Sequence, residues 1–349
     1  MPVYNQPSYT KACLDSIKKH TDYPHRIVVV DDASSSETAE YLDKLSNENE
    51  IVLLRNQENL GWVRSVNKGL NFSKAQYVCV MNNDTVVYPG WLSEMVSVAL
   101  KNAAFGLVNP EWEIPEKFKG SREDYFRIVI KKQNGKFIET DWVRGFCFLI
   151  KRAVIEKIGG LDQIFSPGYF DDWDYSLRAI QAGFLVVKAQ GAFVWHYKNV
   201  THGQLLKKKG LEQEIIQKKG IFCNRWGKFQ KALLIVDRLL KGKSGNLEES
   251  CFCLLRKQVR LVVIKGRLDF NLHHANYFVI TSSDYFLKAR VLFHLWRNFL
   301  LKPGKRYDYV ICSLGMKNFL ERFGVVSKRY IIKDVEEELL KETVPLRRV

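Results

Sequence analysis

Short apolar runs alternate with segments of helical period through the first two hundred residues. Ala12, Leu14 and Ile17 recur at helical spacing and predict a helix from about Ser8 to His20. A short buried strand is expected at Arg26–Asp31. The next helix should open near Ser36, with Ser and Glu in its first turn. Strand, helix and strand are then expected at Ile51–Arg55, Val63–Phe72 and Tyr77–Met81. This alternation, with short loops, predicts an α/β class: a mixed, mainly parallel sheet flanked by helices. From Glu111 to Trp142 polar residues dominate, and an insertion or loop region is expected. Apolar runs resume at Val143–Ile150 and Leu185–Ala189, and a helix is expected from Asp171 through Leu177 to Gln181.

After Lys198 the texture changes. Leu205 to Lys241 is rich in lysine and reads as helices, the apolar stretch Ala232–Val236 included, and Lys241 to Asn246 reads as a linker. Strand candidates return at Leu261–Ile264, Tyr277–Thr281, Tyr309–Ser313 and Tyr330–Ile332, between helices. The expected organisation is residues 1–204 as one α/β domain, 205–246 as a basic helical segment and linker, and 247–349 as a smaller α/β unit.

Charge supports the division. Residues 1–204 hold 24 of the 54 Lys and Arg and 24 of the 38 Asp and Glu, so the net charge of +16 falls wholly on residues 205–349. Such a basic half faces anionic lipid, nucleic acid or an acidic glycan, or is simply a solvated surface. The aromatics there (Tyr277, Phe278, Tyr285, Phe286) sit in apolar runs, which reads as core and argues against base stacking and nucleic acid. Seven cysteines, an odd number, several of them inside apolar runs, read as buried free thiols of a reducing compartment. With no signal peptide and no apolar run long enough to span a bilayer, a cytoplasmic location is expected, with peripheral contact at the inner face of the cell membrane.

Four polar clusters close apolar runs: Val30-Asp31-Asp32-Ala33-Ser34, Asn56 to Arg64 with Asn59 and Gly61, Asn82-Asn83-Asp84, and Phe170-Asp171-Asp172, with His196 following on an apolar strand. Each has a plain structural reading. Asp and Ser form turns and cap helices, and acidic residues suit a first helical turn. A histidine on an apolar strand is usually a satisfied core residue. Together they suggest a site along the carboxyl ends of parallel strands. Carboxylates plus one imidazole suit a hard divalent cation and a general base.

The order of these pieces resembles the family 2 glycosyltransferases of GT-A fold, in particular the rhamnosyltransferase-like branch. The resemblance is carried by Pro2 to Asn5, Val30 to Ser34, Asn59 to Gly61, Asn82 to Asp84, Gly145 to Arg152, Gly159 to Asp162, Phe170 to Asp172 and His196, over about residues 1–200. It implies that Asp32 binds the base of a UDP- or dTDP-linked sugar, with Tyr4 packed nearby and Asn59 and Gly61 on the nucleotide-sugar. It implies that Asp84 and His196 hold Mn²⁺ or Mg²⁺, with Asn83 at the other acidic place of the family's Asp-x-Asp signature. Asp172 becomes the catalytic base, supported by Asp171, and Trp142, Gly145 and Phe146 lie under the sugar or acceptor. The implied reaction is an inverting transfer to a polysaccharide or lipid-linked glycan. The rival expectation is a catalytically inactive nucleotide-sugar or glycan-binding module.

Two departures stand out. The family opens with a buried apolar strand ahead of Pro2-Val3-Tyr4-Asn5, so an N-terminally truncated form is expected, with a gap beside the Arg26–Asp31 strand that upstream apolar residues would fill. The basic second unit lies outside the resemblance, and its Tyr307–Gly315 segment faintly suggests half of a GT-B glycosyltransferase.

Overall fold

A computed structural model describes residues 1–197, 211–237, 240, 244–266, 272–301, 306–322 and 330–335. These fall into two compact units, Met1–Trp226 and Gly227–Val349. The boundary lies inside the segment expected as a basic helical linker.

The first unit opens as the apolar rhythm predicts. β1 (Pro2–Val3), α1 (Pro7–His20), β2 (Val28–Asp31), α2 (Ser36–Asn47), β3 (Val52–Arg55), α3 (Trp62–Phe72) and β4 (Tyr77–Met81) follow in turn. β5 (Thr85–Val87), α4 (Trp91–Leu100), β6 (Phe105–Glu111), α5 (Arg122–Ile128), β7 (Phe137–Thr140), β8 (Cys147–Lys151), α6 (Arg152–Ile158), α7 (Asp171–Gln181), β9 (Leu185–His196) and α8 (Leu211–Trp226) complete it. β1, β2 and β3 form one parallel sheet, and a second sheet runs β4-β8-β6-β9-β5 with β7 also on β9. In this second sheet only β6–β9 is parallel.

The region from Glu111 to Trp142 is not a plain loop. Ser121 caps α5 with a reciprocal Asp124 box, and β7 adds an antiparallel strand to β9. The polar composition hid it because β7 lies at an edge and carries only a half-buried pattern.

α4 shows what binds helix to sheet here. Trp91, Leu92, Met95, Val96, Val98 and Ala99 are all buried, against Phe105 and Val108 of β6 and Val187 and Val194 of β9. Full burial of each large apolar side chain contributes about 1.5–3 kcal/mol.

β2, beside which a gap is expected, pairs with β1 at Val30 and Asp31 and with β3 along its length. A cavity of about 610 Å³ lies between the start of β2 and β4, lined by Met1, Ile27, Leu70, Val78, Val96 and their neighbours. Among the described residues β4 pairs only with β8. Met1 continues the parallel register, its amine donating to the Val28 carbonyl at 2.8 Å, and burial pushes that amine down to about 6.

The second unit is a parallel five-stranded sheet of β10 (Gln230–Val236), β11 (Val259–Lys265), β12 (Tyr277–Thr281), β13 (Tyr309–Cys312) and β14 (Ile331–Asp334), ordered β12-β11-β10-β13-β14. Its helices are α9 (Ser244–Arg256), α10 (Leu287–Phe299) and α11 (Leu314–Arg322). Ala232–Val236, read as helical from the sequence, is instead the central strand. Five consecutive apolar residues buried on both faces carry no period that separates strand from helix. All seven cysteines are free, with Cys13, Cys147, Cys251 and Cys312 buried. Among the described residues no helix is long and apolar enough to cross a membrane.

Candidate active site

The ends of β2, β4 and β9 and the start of α7 meet at one edge of the first unit. Asp32, buried just beyond β2, accepts from the Leu60 and Gly61 amides, each at 2.9 Å, and from Asn56 Nδ2 at 2.7 Å. Its neighbour Asp31 accepts from the Ser34 amide at 3.0 Å and Arg55 Nε at 3.1 Å. The carboxylate of Asp32 therefore shapes the turn that carries Asn59 and Gly61. Gly61 has φ +83°, and a Cβ there would meet Pro167 Cβ at 2.6 Å. The glycine makes room for Pro167. Tyr4, 41% exposed, and Asn59 stand open.

Trp62 at the start of α3 donates to Asn82 Oδ1 at 2.8 Å, which ties this turn to the end of β4. The Asn82 amide in turn donates to the Phe146 carbonyl at 2.8 Å. Asn83 is buried with its Nδ2 on Thr10 Oγ1 at 2.9 Å, so the nitrogen of its amide serves the α1 helix.

The antiparallel pairing of β5 with β9 sets Thr85 opposite His196, and so brings Asp84 to the imidazole. Asp84 Oδ1 and His196 Nε2 stand 3.1 Å apart. Their alignment makes no hydrogen bond, and Oδ1 is left buried without one. An orphaned carboxylate oxygen and an imidazole nitrogen this close fit two adjacent vertices about a divalent cation, whose ligand distances are about 2.0–2.2 Å. Among the described residues no third His, Cys, Asp or Glu joins them. The Phe146 ring stacks on His196 with centroids 4.8 Å apart and planes inclined by 10°.

Gly145 connects this pair to the two aspartates. Its amide donates to Asp172 Oδ2 at 2.8 Å, and a Cβ at that position would sit 3.3 Å from the same oxygen. Asp172 Oδ1 accepts from the Trp173 amide at 2.8 Å. Tyr169 and Phe170, just ahead of α7, adopt φ +75° and +65°. Left-handed backbone at bulky residues stores about 1–3 kcal/mol each and collects where surrounding structure demands it, often at functional sites. Burial raises both carboxyls of the pair. Asp171, fully inside, is held well above the usual carboxylate range, with the Asp172 charge the next cause. Asp172 is only half-buried and is also raised, the Gly145 and Trp173 amides opposing the shift.

The flanking surface is aromatic. Trp142 and Trp173 lie with centroids 4.3 Å apart, and Phe222 of α8 packs on Trp173 at 5.0 Å. Arg225 of α8 bridges Asp162 at 2.8 Å and the fully buried Asp174 at 2.7 Å, clasping α8 onto α7. Asp84, His196, Phe146, Gly145 and Asp172 thus form one connected run. Asp32 joins it through Trp62 and Asn82, and Trp142 through Trp173.

Arg144, Asn109 and Ser176 went unread in the sequence. Ser176 Oγ accepts from the Val143 amide at 2.9 Å and Asn109 Oδ1 from the Arg144 amide at 2.9 Å, which fixes the segment bearing Trp142 and Gly145. A lone arginine between Trp142 and the apolar run from Phe146 was the available signal for Arg144.

Residues 1–159 match the family described as Glycosyl transferase family 2. An uncharacterized protein y4gI of Sinorhizobium fredii is 24% identical over 228 residues, covering 58% of this chain and 24% of that protein. The putative glycosyltransferase EpsH of Bacillus subtilis is 26% identical over 162 residues, covering 44% and 46%. The poly-beta-1,6-N-acetyl-D-glucosamine synthase of Staphylococcus aureus is 22% identical over 213 residues, covering 59% and 51%. The chain thus spans between a quarter and a half of these relatives. A mannosyltransferase from Pyrobaculum calidifontis, solved with GDP-Man and Mn²⁺, superposes with a TM-score of 0.47 at 20% identity over 62% of each chain.

Proposed function

We propose, from the premise that residues 1–159 form a family 2 glycosyltransferase domain, that this protein moves a sugar from a UDP- or dTDP-linked donor to a hydroxyl of a growing polysaccharide or lipid-linked glycan, with inversion. The connected run from Asp84 and His196 through Phe146 and Gly145 to Asp172 carries this reading. It supplies the two functions a one-step displacement needs at opposite ends of the sugar.

Asp172 takes the proton of the acceptor hydroxyl as that oxygen bonds to the anomeric carbon. The bond from that carbon to the diphosphate oxygen breaks, and the nucleoside diphosphate departs with the electron pair. Asp84 Oδ1 and His196 Nε2 would hold a divalent cation, which when bound offsets the charge gathering on the diphosphate. The Gly145 and Trp173 amides keep the Asp172 carboxylate in place for the proton. The Trp142 and Phe146 rings give a sugar apolar faces to rest on and exclude water.

Asp172→Asn should lower turnover by about 10²–10⁴-fold, the range for loss of a positioned base. Nucleotide-sugar binding should be nearly intact. Release of nucleoside diphosphate from a panel of UDP- and dTDP-sugars with Mn²⁺ measures this, and near-normal turnover by the variant would place the base elsewhere. A complete lack of turnover by the wild type, with donor still bound, would favour the inactive module. The base works deprotonated and its carboxyl is raised by burial. Activity should therefore be present above that raised value and fade as pH falls through it, earlier than for an ordinary aspartate at about 3.9.

The +16 charge beyond residue 204 supports attachment to anionic membrane, where a lipid-linked acceptor would reside. Each basic residue near such a surface contributes about 1 kcal/mol. Flotation with anionic but not neutral vesicles at low salt is the expected outcome, and equal flotation with both would reject it.

A further inference from the structure

Among the described residues Arg144 is the guanidinium that acts on the candidate base, and hydrogen bonds of its side chain do not account for it. The group lies 3.9 Å over the Trp142 ring and 5.4 Å from the Trp112 centroid. Its Nε is buried and makes no hydrogen bond. Asp172, Glu113 and Asp141 act on it only through their fields, and burial lowers its affinity for its proton more than they raise it. The nearest functional carboxylate, Asp172, is already taken up by the Gly145 and Trp173 amides. A partly desolvated guanidinium that stacks on a ring but makes no side-chain hydrogen bond or ion pair leaves its N–H donors for a ligand to complete.

The position says which ligand. Arg144 is covalently next to Gly145, whose amide holds the base, so it stands where the acceptor approaches rather than at the Asp84–His196 end. Stacking on an indole leaves the edge of a guanidinium open, and that edge presents parallel N–H donors matched to a carboxylate or phosphate. Lys188 Nζ, 5.3 Å from the Trp112 centroid, is already paired with Glu111 at 2.7 Å, which leaves Arg144 as the cation on that ring without an ion pair.

We propose that Arg144 is a specificity-determining residue that selects acceptors carrying an oxyanion, a carboxylate or a phosphate, close to the hydroxyl that is glycosylated. This rests on the transferase reading but does not follow from it, since the same base serves a neutral acceptor equally well.

Binding of three matched probes to the full-length protein, with UDP and Mn²⁺ present, tests the idea. They are methyl glucoside, methyl glucuronide and methyl glucoside 6-phosphate. The wild type should prefer an anionic probe over the neutral one, and whichever anion is preferred identifies its source. Hydrogen bonds to charged groups are strong enough that Arg144→Gln should reduce this preference about 10- to 100-fold. Arg144→Lys should keep part of it. With a productive acceptor the loss should appear in KM rather than kcat. Equal discrimination in wild type and Arg144→Gln, or none in the wild type, overturns the proposal while leaving the Asp172 experiment untouched. Thermal unfolding separates a structural role: Arg144→Met should leave the ligand-free protein as stable or more so, and a large drop in Tm would also overturn the idea.

Discussion

The two ends of the site are built by opposite means. At the Asp32 end the polar groups are saturated by the protein itself: Asp32 has three donors, Asp31 two, and Asn83 serves Thr10. At the Asp172 end burial acts on the charged groups themselves, raising the carboxyls of Asp171 and Asp172 and lowering the guanidinium of Arg144. The first end is a finished scaffold whose hydrogen bonds define shape, and at the second desolvation outweighs the partners present. Between them stands the Asp84–His196 pair, close but not hydrogen-bonded.

The comparison breaks most sharply at Asp174, where the Asp172 end is propped by a satisfied buried charge. Asp174→Ala would remove the buried carboxylate that holds Arg178 and Arg225, leaving Arg225 on Asp162 and Arg178 on the Ile158 and Gly160 carbonyls. Removing one partner of a buried pair typically costs about 3–5 kcal/mol. Chemical denaturation should show a loss of that size, and a loss below 1 kcal/mol would mean that the clasp of α8 is dispensable. At the middle, Asp84→Ala should weaken Mn²⁺-dependent donor binding by about 100-fold, at the upper end of what even outer-shell metal changes produce. Calorimetry with and without Mn²⁺ reads this, and an unchanged Mn²⁺ response would remove the pair from the metal site. At the scaffold end, Gly61→Ala introduces a side chain at φ +83° against Pro167. A destabilisation of about 1–3 kcal/mol is expected. If donor affinity fell without any change in stability, the glycine would face the ligand after all.

Legibility followed burial pattern. The βαβ alternation of residues 26–81 was readable because each strand is a short apolar run closed by a polar turn, and the observed bounds differ by two residues or fewer. The α5–β7 stretch was not, since its strand lies at an edge and only one of its four positions is buried. Ala232–Val236 was misassigned because a strand buried on both faces loses its alternation. Asp84 and His196 were legible as separate strand-end residues, while their juxtaposition depends on the β5–β9 register, a non-local fact. Asp32 was legible as a buried strand-end carboxylate, but not that backbone amides 28 and 29 residues away would claim it. Gly61 shows the same limit: a glycine before a helix signals a close approach without saying of what.

The unpaired thiols give each unit its own internal clock. Cys13 and Cys147 are buried in the first unit, and Cys251 and Cys312 in the second. Burial raises all four, Cys13 to about 11 and Cys312 to about 12, so in the native state they are both protonated and inaccessible. A thiol reagent can reach them only when the surrounding structure opens. Pulsed alkylation followed by peptide mass analysis would then time the opening of the first unit and of the parallel five-stranded unit in one sample, without separating them and without adding a label.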